Sequence, residues 1–301
     1  MKNMVELEMV NDYCKGMGLS ASHPLVTVVD LSKADWKPRK GTRSVRYHFY
    51  GIFLKQGQQC IMRYGRQNYD FQDGTLVFVG PGQIVNIEHI ETDYQPTGFA
   101  LLFHPDLLLG TQLGKVIDSH SFFSYELHEA LHISERERQI VLDCFSKIEF
   151  ELQQGMDRHS RKLVTSNIEL FLNYCHRFYD RQFFTREHKN QGVVGKFEKL
   201  LNGYFNSDKP REIGLPTVAY FAGELHLSPN YFGDLIKKET GKSAKDLIQD
   251  KLIETAKART FDTDKSVSEI AFDLGFKYPQ HFSRLFKKNV GYTPNEYRML
   301  N

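Results

Sequence analysis

The chain has 301 residues, with 39 Lys and Arg against 37 Asp and Glu, so its formal net charge is only +2. At about 100–200 residues per domain this length predicts two domains. The content of 41% hydrophobic and 25% charged residues is typical of a folded globular protein and excludes a disordered or collagen-like chain. The small charge also excludes a strongly basic, histone-like protein, although a whole-chain sum does not reveal a basic face on one domain.

The apolar runs of the chain are too short for a membrane span. The most apolar run, residues 99–109, is interrupted by His104, Pro105 and Asp106 and is far shorter than the roughly 20 residues a span needs. The N-terminal segment lacks the uninterrupted apolar core of a secretory signal. The four cysteines, at positions 14, 60, 144 and 175, have no metal-ligand spacing. We therefore expect reduced thiols and a cytoplasmic protein.

Residues 47–103 have the pattern of β-strands. Short β-branched and aromatic runs, such as TLVFV at 75–79 and GFALLF at 98–103, are separated by turn sequences at Gly57, Asp73-Gly74 and Pro81-Gly82. Many short strands close together predict a barrel or a sandwich. The aromatic residues of this region either pack in the core, which is the default, or line a ligand pocket; they are Tyr47, Phe49, Tyr50, Phe53 and Tyr64.

The same region contains His48, Glu88, His89 and His104. Imidazole and carboxylate groups are metal ligands in barrels of this type. These four residues include no H-x-H pair and no tight ligand set, so we predict no metal site and no cofactor.

From residue 134 the hydrophobic period becomes helical. Ser134 and Glu137 form a capping-box sequence, and apolar residues then recur at spacings of 3 and 4. A second amphipathic helix is predicted over residues 161–179, with Cys175 on its apolar stripe, and the two helices join near Gly155. We expect an antiparallel hairpin whose apolar face either packs on the strand region or makes a dimer interface.

The polar segment REHKNQ at residues 186–191 is typical of a linker and divides the chain. The sequence therefore predicts a β-rich domain over 1–133, a helical hairpin and linker over 134–191, and a helical domain over 192–301. The last segment carries 17 Lys and Arg against 14 Asp and Glu, a net +3, which leaves −1 on the first 191 residues. This is the sign expected if the helical domain contacts phosphate.

An internal repeat at an offset of 50 residues lies in the helical domain. PNYFGDLIKKETGKSAKDLI begins at Pro229, and PQHFSRLFKKNVGYTPNEYR begins at Pro279. Six positions are identical in the two copies, namely Pro229/Pro279, Phe232/Phe282, Leu235/Leu285, Lys237/Lys287, Lys238/Lys288 and Gly241/Gly291. Each copy follows a shorter apolar helix, so the pattern predicts two helix–turn–helix units.

The second copy specifies its own turns. Ser266 and Glu269 form a capping box that begins the first helix, and Gly275 provides the positive φ that ends it. Phe276 then enters the core, and Pro279 is placed in the first turn of the second helix. In the first copy, Ser228 is the predicted N-cap and His226 must adopt the strained conformation that Gly275 adopts in the second copy. A helix over 246–261 connects the copies.

Residues 270–298, IAFDLGFKYPQHFSRLFKKNVGYTPNEYR, closely resemble the signature of the DNA-binding domain of AraC-type (AraC/XylS) bacterial transcriptional regulators. The resemblance implies seven helices whose two helix–turn–helix units enter successive major grooves. It also implies a variable N-terminal domain, often a cupin-like barrel that binds a small effector, followed by dimerisation helices. GTLVFVGPGQI at residues 74–84 is similar to the strand–turn segment of such barrels.

The resemblance also implies roles for individual residues. The base-reading positions of the second unit fall on Gln280, Ser283 and Arg284, and those of the first fall on Asn230, Gly233 and Asp234. Since Gly233 has no side chain and Asp234 repels phosphate, we expect Asn230 and Tyr231 to make the base contacts of the first unit. We expect the following groups: base contacts at Asn230, Tyr231, Gln280, His281, Ser283 and Arg284; phosphate contacts at Lys237, Lys238, Lys287 and Lys288; structural positions at Gly241, Gly275, Phe276, Phe282, Gly291 and Pro294.

These features predict an α+β protein of two domains that acts as a sequence-specific transcriptional regulator, responsive to an effector and acting as an activator. Its expected partners are promoter DNA, RNA polymerase from the family resemblance, a small effector in the N-terminal barrel and a second copy of the chain. The alternative is an enzyme that its C-terminal domain targets to DNA. That enzyme would be either a metal-dependent cupin or an alkyl-transfer repair protein, because Cys175-His176-Arg177 resembles the nucleophile motif of the latter. The Pro that precedes the Cys in that motif is Tyr174 here, and a buried, inert thiol is the favoured interpretation.

Overall fold

The computed structural model describes residues 4–35, 41–55, 61–64, 67–70, 74–89, 96–125, 129–155, 157–185, 187–261 and 264–299. The chain folds into two compact units, Met1–Thr185 and Arg186–Asn301. Unit 1 contains all the described strands, and unit 2 contains helices throughout its described residues. None of the described helices is long and apolar enough to cross a lipid bilayer.

The strands of unit 1 form a three-stranded sheet in the order β1-β3-β8, a five-stranded sheet in the order β10-β7-β4-β9-β2, and the hairpin β5-β6. The strands are β1 (Met4–Leu7), β2 (Val26–Asp30), β3 (Gly41–Tyr47), β4 (Tyr50–Lys55), β5 (Ile61–Tyr64), β6 (Gln67–Asp70), β7 (Thr75–Val79), β8 (Ile84–His89), β9 (Gly98–Phe103) and β10 (Leu131–His132). All described pairs are antiparallel except β1 with β3.

The two larger sheets share one hydrophobic core. Val45 and Val85 of the three-stranded sheet belong to the same buried cluster as Phe53, Val77 and Ala100 of the five-stranded sheet. This arrangement confirms the predicted mixture of helices and sheets. The described strands pair as open sheets, so a closed cupin-like barrel stays a prediction.

Aromatic side chains of the strand region belong to this packing. Tyr47, Phe49 and Phe53 are buried in the shared core. Tyr50 is partly buried and stacks on Phe103 with 4.9 Å between the ring centroids. These four residues pack as core residues do, whereas the side chain of Tyr64 lies outside the described residues.

Helices cover the opposite face of the five-stranded sheet. Phe78 of β7 packs against Phe122 and against Tyr179 of α5. The helices of unit 1 are α1 (Val10–Gly16), α2 (Pro105–Leu108), α3 (Gln112–Val116), α4 (Glu135–Gln153) and α5 (Ser160–Thr185). Arg181 of α5 donates to Glu137 of α4 at 2.9 Å and to the carbonyl of His132 at 2.6 Å.

The predicted hairpin is present as α4 and α5, and the predicted Ser134–Glu137 capping box begins α4. The predicted apolar stripes of both helices are buried within unit 1. Packing on the strands, the first of the two alternatives, therefore accounts for those stripes. Phe150, Leu163 and Leu170 stay exposed on the hairpin.

Unit 2 begins with a helix where the sequence predicted a linker. The helices are α6 (Glu187–Phe205), α7 (Lys209–Ile213), α8 (Val218–Glu224), α9 (Pro229–Thr240), α10 (Ala244–Thr260), α11 (Val267–Asp273), α12 (Pro279–Val290) and α13 (Pro294–Met299). Residues 187–191 are helical because Glu, Lys and Gln are good helix formers and no Pro interrupts them. The described part of unit 2 has eight helices instead of the seven implied by the resemblance, and α7 has only five residues.

Aromatic residues form the core of unit 2 around each helix–turn–helix pair. The ring of Phe197 in α6 lies 5.2 Å from Phe221 in α8 and 5.2 Å from Phe232 in α9. In the second pair, Phe282 of α12 contacts Phe276 at 5.4 Å and Phe286 at 5.7 Å. Each pair therefore has its own buried aromatic anchor, which fixes the angle at which the following helix presents its outer face.

Candidate nucleic-acid interface

The second helix–turn–helix pair, α11 and α12, has the predicted turn chemistry. The amide of Glu269 donates to Ser266 Oγ at 3.2 Å, and the amide of Ser266 donates to the Glu269 carboxylate at 2.7 Å. Gly275 follows Leu274, the C-cap of α11, and has φ +92°, and Phe276 is buried. The predicted capping box, left-handed glycine and core phenylalanine are confirmed.

The first pair, α8 and α9, has the same plan with a different turn. Ser228 caps α9 by accepting from the amide of Tyr231 at 3.2 Å. His226 has φ +56° and is the one residue other than glycine with positive φ among the described residues. The prediction that His226 takes the strained position is confirmed. Such a conformation costs a residue with a Cβ roughly 1 kcal/mol or more.

The predicted structural positions lie at the helix ends and in the core. Gly241 and Gly291 have φ +73° and +90° and end α9 and α12. Phe282 is buried, and Pro294 is buried in the first turn of α13. Left-handed glycines at these two equivalent places allow the chain to leave both helices in the same direction.

The outer face of α12 presents the predicted DNA-contacting side chains together. Gln280, His281 and Arg284 are exposed in its first two turns, and Ser283 beside them is partly buried. Lys287 and Lys288 are exposed in the last turn. The face thus carries neutral hydrogen-bonding groups at its N-terminal end and three cations from its middle to its C-terminal end.

The corresponding face of α9 is poorer in such groups. Asn230, Lys237 and Lys238 are exposed, whereas Gly233 and Asp234 are partly buried. Two acids and two bases in α9 give a net charge of 0, while three bases and no acid give α12 a net charge of +3. The structure therefore places most of the positive charge of the two faces on α12.

The structure does not agree with the prediction for Tyr231. Its side chain is only 6% exposed, and it shares the inner face of α9 with Leu235, one helical turn away. A base contact would require the ring to leave the core. His281, the residue at the same place in α12, is exposed and lies beside Tyr278, with 5.4 Å between the ring centroids.

An ionic cluster in unit 2 was missed by sequence reasoning. Asp273, the last residue of α11, is nearly buried and lies beside a cavity of about 420 Å³ that Arg211, Arg259 and Lys265 also line. Burial opposes ionisation of Asp273, but hydrogen bonds from Lys265 and Arg211 outweigh it and keep the pKa of the carboxyl below its ordinary value. The available signal was an acid inside the apolar helix segment IAFDLGF.

The thiol of Cys175 lies in an environment that does not favour nucleophilic chemistry. It is fully buried on α5, and burial, with Cys144 nearby, raises the pKa of the thiol well above its ordinary range. A thiolate is the reactive form of cysteine, so such a shift suppresses reactivity. His176 instead shares a 2.8 Å hydrogen bond with His120, whose pKa burial lowers to about 4.

The histidines considered as metal ligands do not come together in the described structure. His104 accepts from the amide of Asp106 at the start of α2, and the side chains of Glu88 and His89 lie outside the described residues. His48 instead forms an exposed cluster with Glu6 and Glu8. It lies 2.8 Å from the carboxylate of Glu6, which also accepts from Arg46 at 3.2 Å. These side-chain contacts account for the cluster.

Comparison with known proteins places a family match in unit 2. Residues 221–299 match a family described as helix-turn-helix domain. The chain is 39% identical to the HTH-type transcriptional regulator YtdP of Bacillus subtilis over 82 residues, which is 27% of this chain and 11% of that protein. It is 26% identical to the HTH-type transcriptional regulator YfiF of Bacillus subtilis over 85% of this chain and 78% of that protein.

Among solved structures, the C-terminal domain of AraT, a response regulator from Geobacillus stearothermophilus, is 28% identical. The matched region covers 36% of this chain and 85% of the AraT domain, with a TM-score of 0.32. Since the chain spans only about a tenth of YtdP, similarity to that protein concerns the domain alone. Residues 221–299 form an AraC-type helix–turn–helix domain, and the relatives named here are transcriptional regulators.

Proposed function

We propose that this chain, whose unit 2 holds an AraC-type helix–turn–helix domain, is a transcriptional regulator that binds specific promoter sequences with two helix–turn–helix units. The observation that carries the proposal is the outer face of α12, where Gln280, His281 and Arg284 are exposed ahead of Lys287 and Lys288. Helices of this kind place their N-terminal residues against base edges in the major groove.

The side chains of α12 match the chemistry of base and phosphate recognition. The guanidinium of Arg284 is suited to the two acceptors of guanine, and the amide of Gln280 is suited to the donor and acceptor of adenine. Lys287 and Lys288 would bind phosphate as point charges and add affinity without sequence preference. On α9, Asn230 contributes base recognition, and Lys237 with Lys238 contribute charge. Tyr231 contributes by packing in the core beneath α9.

Unit 1 is proposed to regulate this DNA binding. It would sense a small effector in a cupin-like strand domain, and the chain would act in the cytoplasm as a homodimer that activates transcription through RNA polymerase. The exposed side chains of Phe150, Leu163 and Leu170 on α4 and α5 support a dimer contact, because apolar surface of this kind is stabilised by burial. The protein is proposed to have no catalytic activity, which the burial of Cys175 supports.

The function is tested by selecting duplexes from a random-sequence pool with the full chain and measuring their binding at a fixed salt concentration. We expect enriched sequences with two conserved blocks, bound about 10³-fold or more tightly than a scrambled duplex. A protein that binds selected and scrambled duplexes equally at every salt concentration would contradict sequence-specific recognition. Selected sequences that share a single conserved block would contradict the use of both helix–turn–helix units.

A further inference from the structure

The cluster at the end of α11 joins two helices that are distant in the sequence. The Nε of Arg211 in α7 donates to Oδ1 of Asp273 at 2.7 Å, and the ammonium of Lys265 donates to Oδ2 at 2.7 Å. Only 6% of the Asp273 side chain is exposed. Because a buried charge without partners is costly, the carboxylate strongly favours the arrangement in which Arg211 and Lys265 stay beside it.

The backbone of the same two regions is in direct contact. A Cβ added to Gly275, in the turn of the second unit, would lie 2.6 Å from the carbonyl carbon of Gly214. Gly214 directly follows α7 and has φ +101°. No residue with a side chain fits at position 275 without separating these segments. The ionic contact and the backbone contact therefore attach α7 to α11 at two adjacent points.

The other side of α7 is attached to the first helix–turn–helix unit. Lys209 donates to the hydroxyl of Tyr220 in α8 at 2.9 Å. The hydroxyl of Tyr204 in α6 donates to the carbonyl of Gly214 at 2.8 Å. The N-cap of α8, Thr217, follows Gly214 after only two residues. The helix α7 is therefore connected to α8 both by this hydrogen bond and by a short loop.

A residue of α10 connects the Asp273 cluster with the end of α6. Arg259 of α10 donates to the backbone carbonyl of Asp273 at 3.0 Å and to the carbonyl of Phe205, the last residue of α6. The helix α10 joins the two helix–turn–helix units covalently and packs against α9 and α11. Gln249 of α10 also donates to Asn289 of α12 at 3.0 Å. The contacts of α7 add a second connection between the two helix–turn–helix units, beside the one through α10.

We propose that this α7 clasp, formed by Arg211, Gly214, Lys265, Asp273 and Gly275, sets the spacing and rotation of α9 relative to α12 and so determines which separation of two DNA segments the protein accepts. Asp273 and Arg211 are positioning residues in this proposal and do not touch DNA. The proposal rests on the proposed function, because it concerns how the two units bind one duplex.

The test compares binding to a selected duplex with binding to the same duplex carrying one additional base pair between its two conserved blocks. One base pair moves the second block by about 3.4 Å along the axis and rotates it by about a tenth of a turn. We expect the wild-type full chain to prefer the original spacing about tenfold or more. Asp273→Asn and Arg211→Gln should reduce this preference to about threefold or less, since either change loosens the clasp.

Matched controls separate positioning from general destabilisation. Asp250→Asn removes an exposed ion pair, with Lys242 at 2.8 Å, that is remote from α7 in the sequence. This substitution should leave the spacing preference unchanged. Arg211→Lys retains the charge and should restore at least part of the preference. Arg211 is 57% exposed, so Arg211→Gln decides the matter if Asp273→Asn does not fold, as monitored by thermal unfolding.

The outcomes distinguish the two proposals. A wild-type protein that does not discriminate selected from scrambled duplexes refutes the proposed function. A wild-type protein that discriminates, together with an Arg211→Gln variant that folds and keeps the full spacing preference, refutes the clasp alone. An equal loss of affinity for both spacings in the variants also refutes it, because a merely structural role lowers both affinities together.

Discussion

The two helix–turn–helix units follow one plan with different chemistry. In the second unit, α12 has a net charge of +3, and its turn contains Gly275 in the left-handed conformation. In the first, α9 has a net charge of 0, and its turn contains His226 in a conformation that glycine adopts at less cost. Shared helix lengths and caps therefore do not imply equal roles. We infer that the second helix–turn–helix unit supplies most of the sequence recognition and that the first helix–turn–helix unit stabilises the complex with DNA.

The largest effect is expected at the turn of the second helix–turn–helix unit. Gly275→Ala should lower the free energy of unfolding of unit 2 by about 3 kcal/mol or more, because a Cβ at positive φ would also overlap the backbone of Gly214. Denaturant unfolding of the full chain measures the change. Gly233→Ala is the matched control: it lies in the middle of α9 with open space around it, and it should stabilise by about 0.5–1 kcal/mol. Equal effects of the two substitutions would contradict the close approach.

A second comparison concerns the residues at the equivalent positions 234 and 284. Arg284→Ala should weaken binding to a selected duplex by about 1–3 kcal/mol and relax the preference at one base pair. Asp234→Ala should have little effect or improve binding, because it removes a negative charge from the helix that is proposed to lie against DNA phosphates. Binding titrations at one salt concentration, with a scrambled duplex as control, measure both. A similar loss for the two variants would show that the units contribute equally.

The lysine pairs allow the same comparison through salt dependence. Replacing Lys287 and Lys288 by Gln should reduce the slope of log affinity against log salt by about 1.8, since each phosphate contact contributes about 0.9. Replacing Lys237 and Lys238 should reduce it less, because acids balance these bases within α9. Titrations at several salt concentrations give the slopes. Equal reductions would mean that the acids of α9 do not weaken its phosphate contacts.

The smallest effect is expected at the strained turn of the first helix–turn–helix unit. His226→Gly should raise the free energy of unfolding by up to about 1 kcal/mol, since glycine adopts φ near +56° without steric cost. Thermal or denaturant unfolding would detect it, with DNA affinity measured in parallel. A destabilised variant would indicate that the imidazole makes contacts worth more than the strain.

The sequence was sufficient for features that depend on neighbouring residues. The capping residues Ser134, Ser228 and Ser266, the turn glycine Gly275 and the strained His226 were all predicted at the places where the structure has them. The exposed face of α12 follows from the 3.6-residue period in the same way. Contacts of these residues with DNA stay predictions, since they depend on a partner.

Other features could not be predicted because they depend on distant parts of the chain. The burial of Tyr231 depends on how α9 packs within unit 2. From the sequence alone, an exposed ring at this position was equally compatible with the helix. Residues 187–191 were predicted as a linker from their polarity, but helix propensity and continuity with the apolar part of α6 make them helical. In unit 1, the described strands pair as open sheets, and the closed cupin-like barrel stays a prediction.

The sequence by itself determined the helix–turn–helix repeat, its caps and the residue types on each recognition helix, because all of these arise within a few residues along the chain. Only the tertiary structure decided that Tyr231 is inaccessible and how the two helix–turn–helix units are joined. The clasp brings together Arg211 and Asp273, which are 62 residues apart, and the local sequence around Asp273 does not identify its partner. Their pairing arises because folding buries the carboxylate of Asp273, and a buried carboxylate is stable only beside cations.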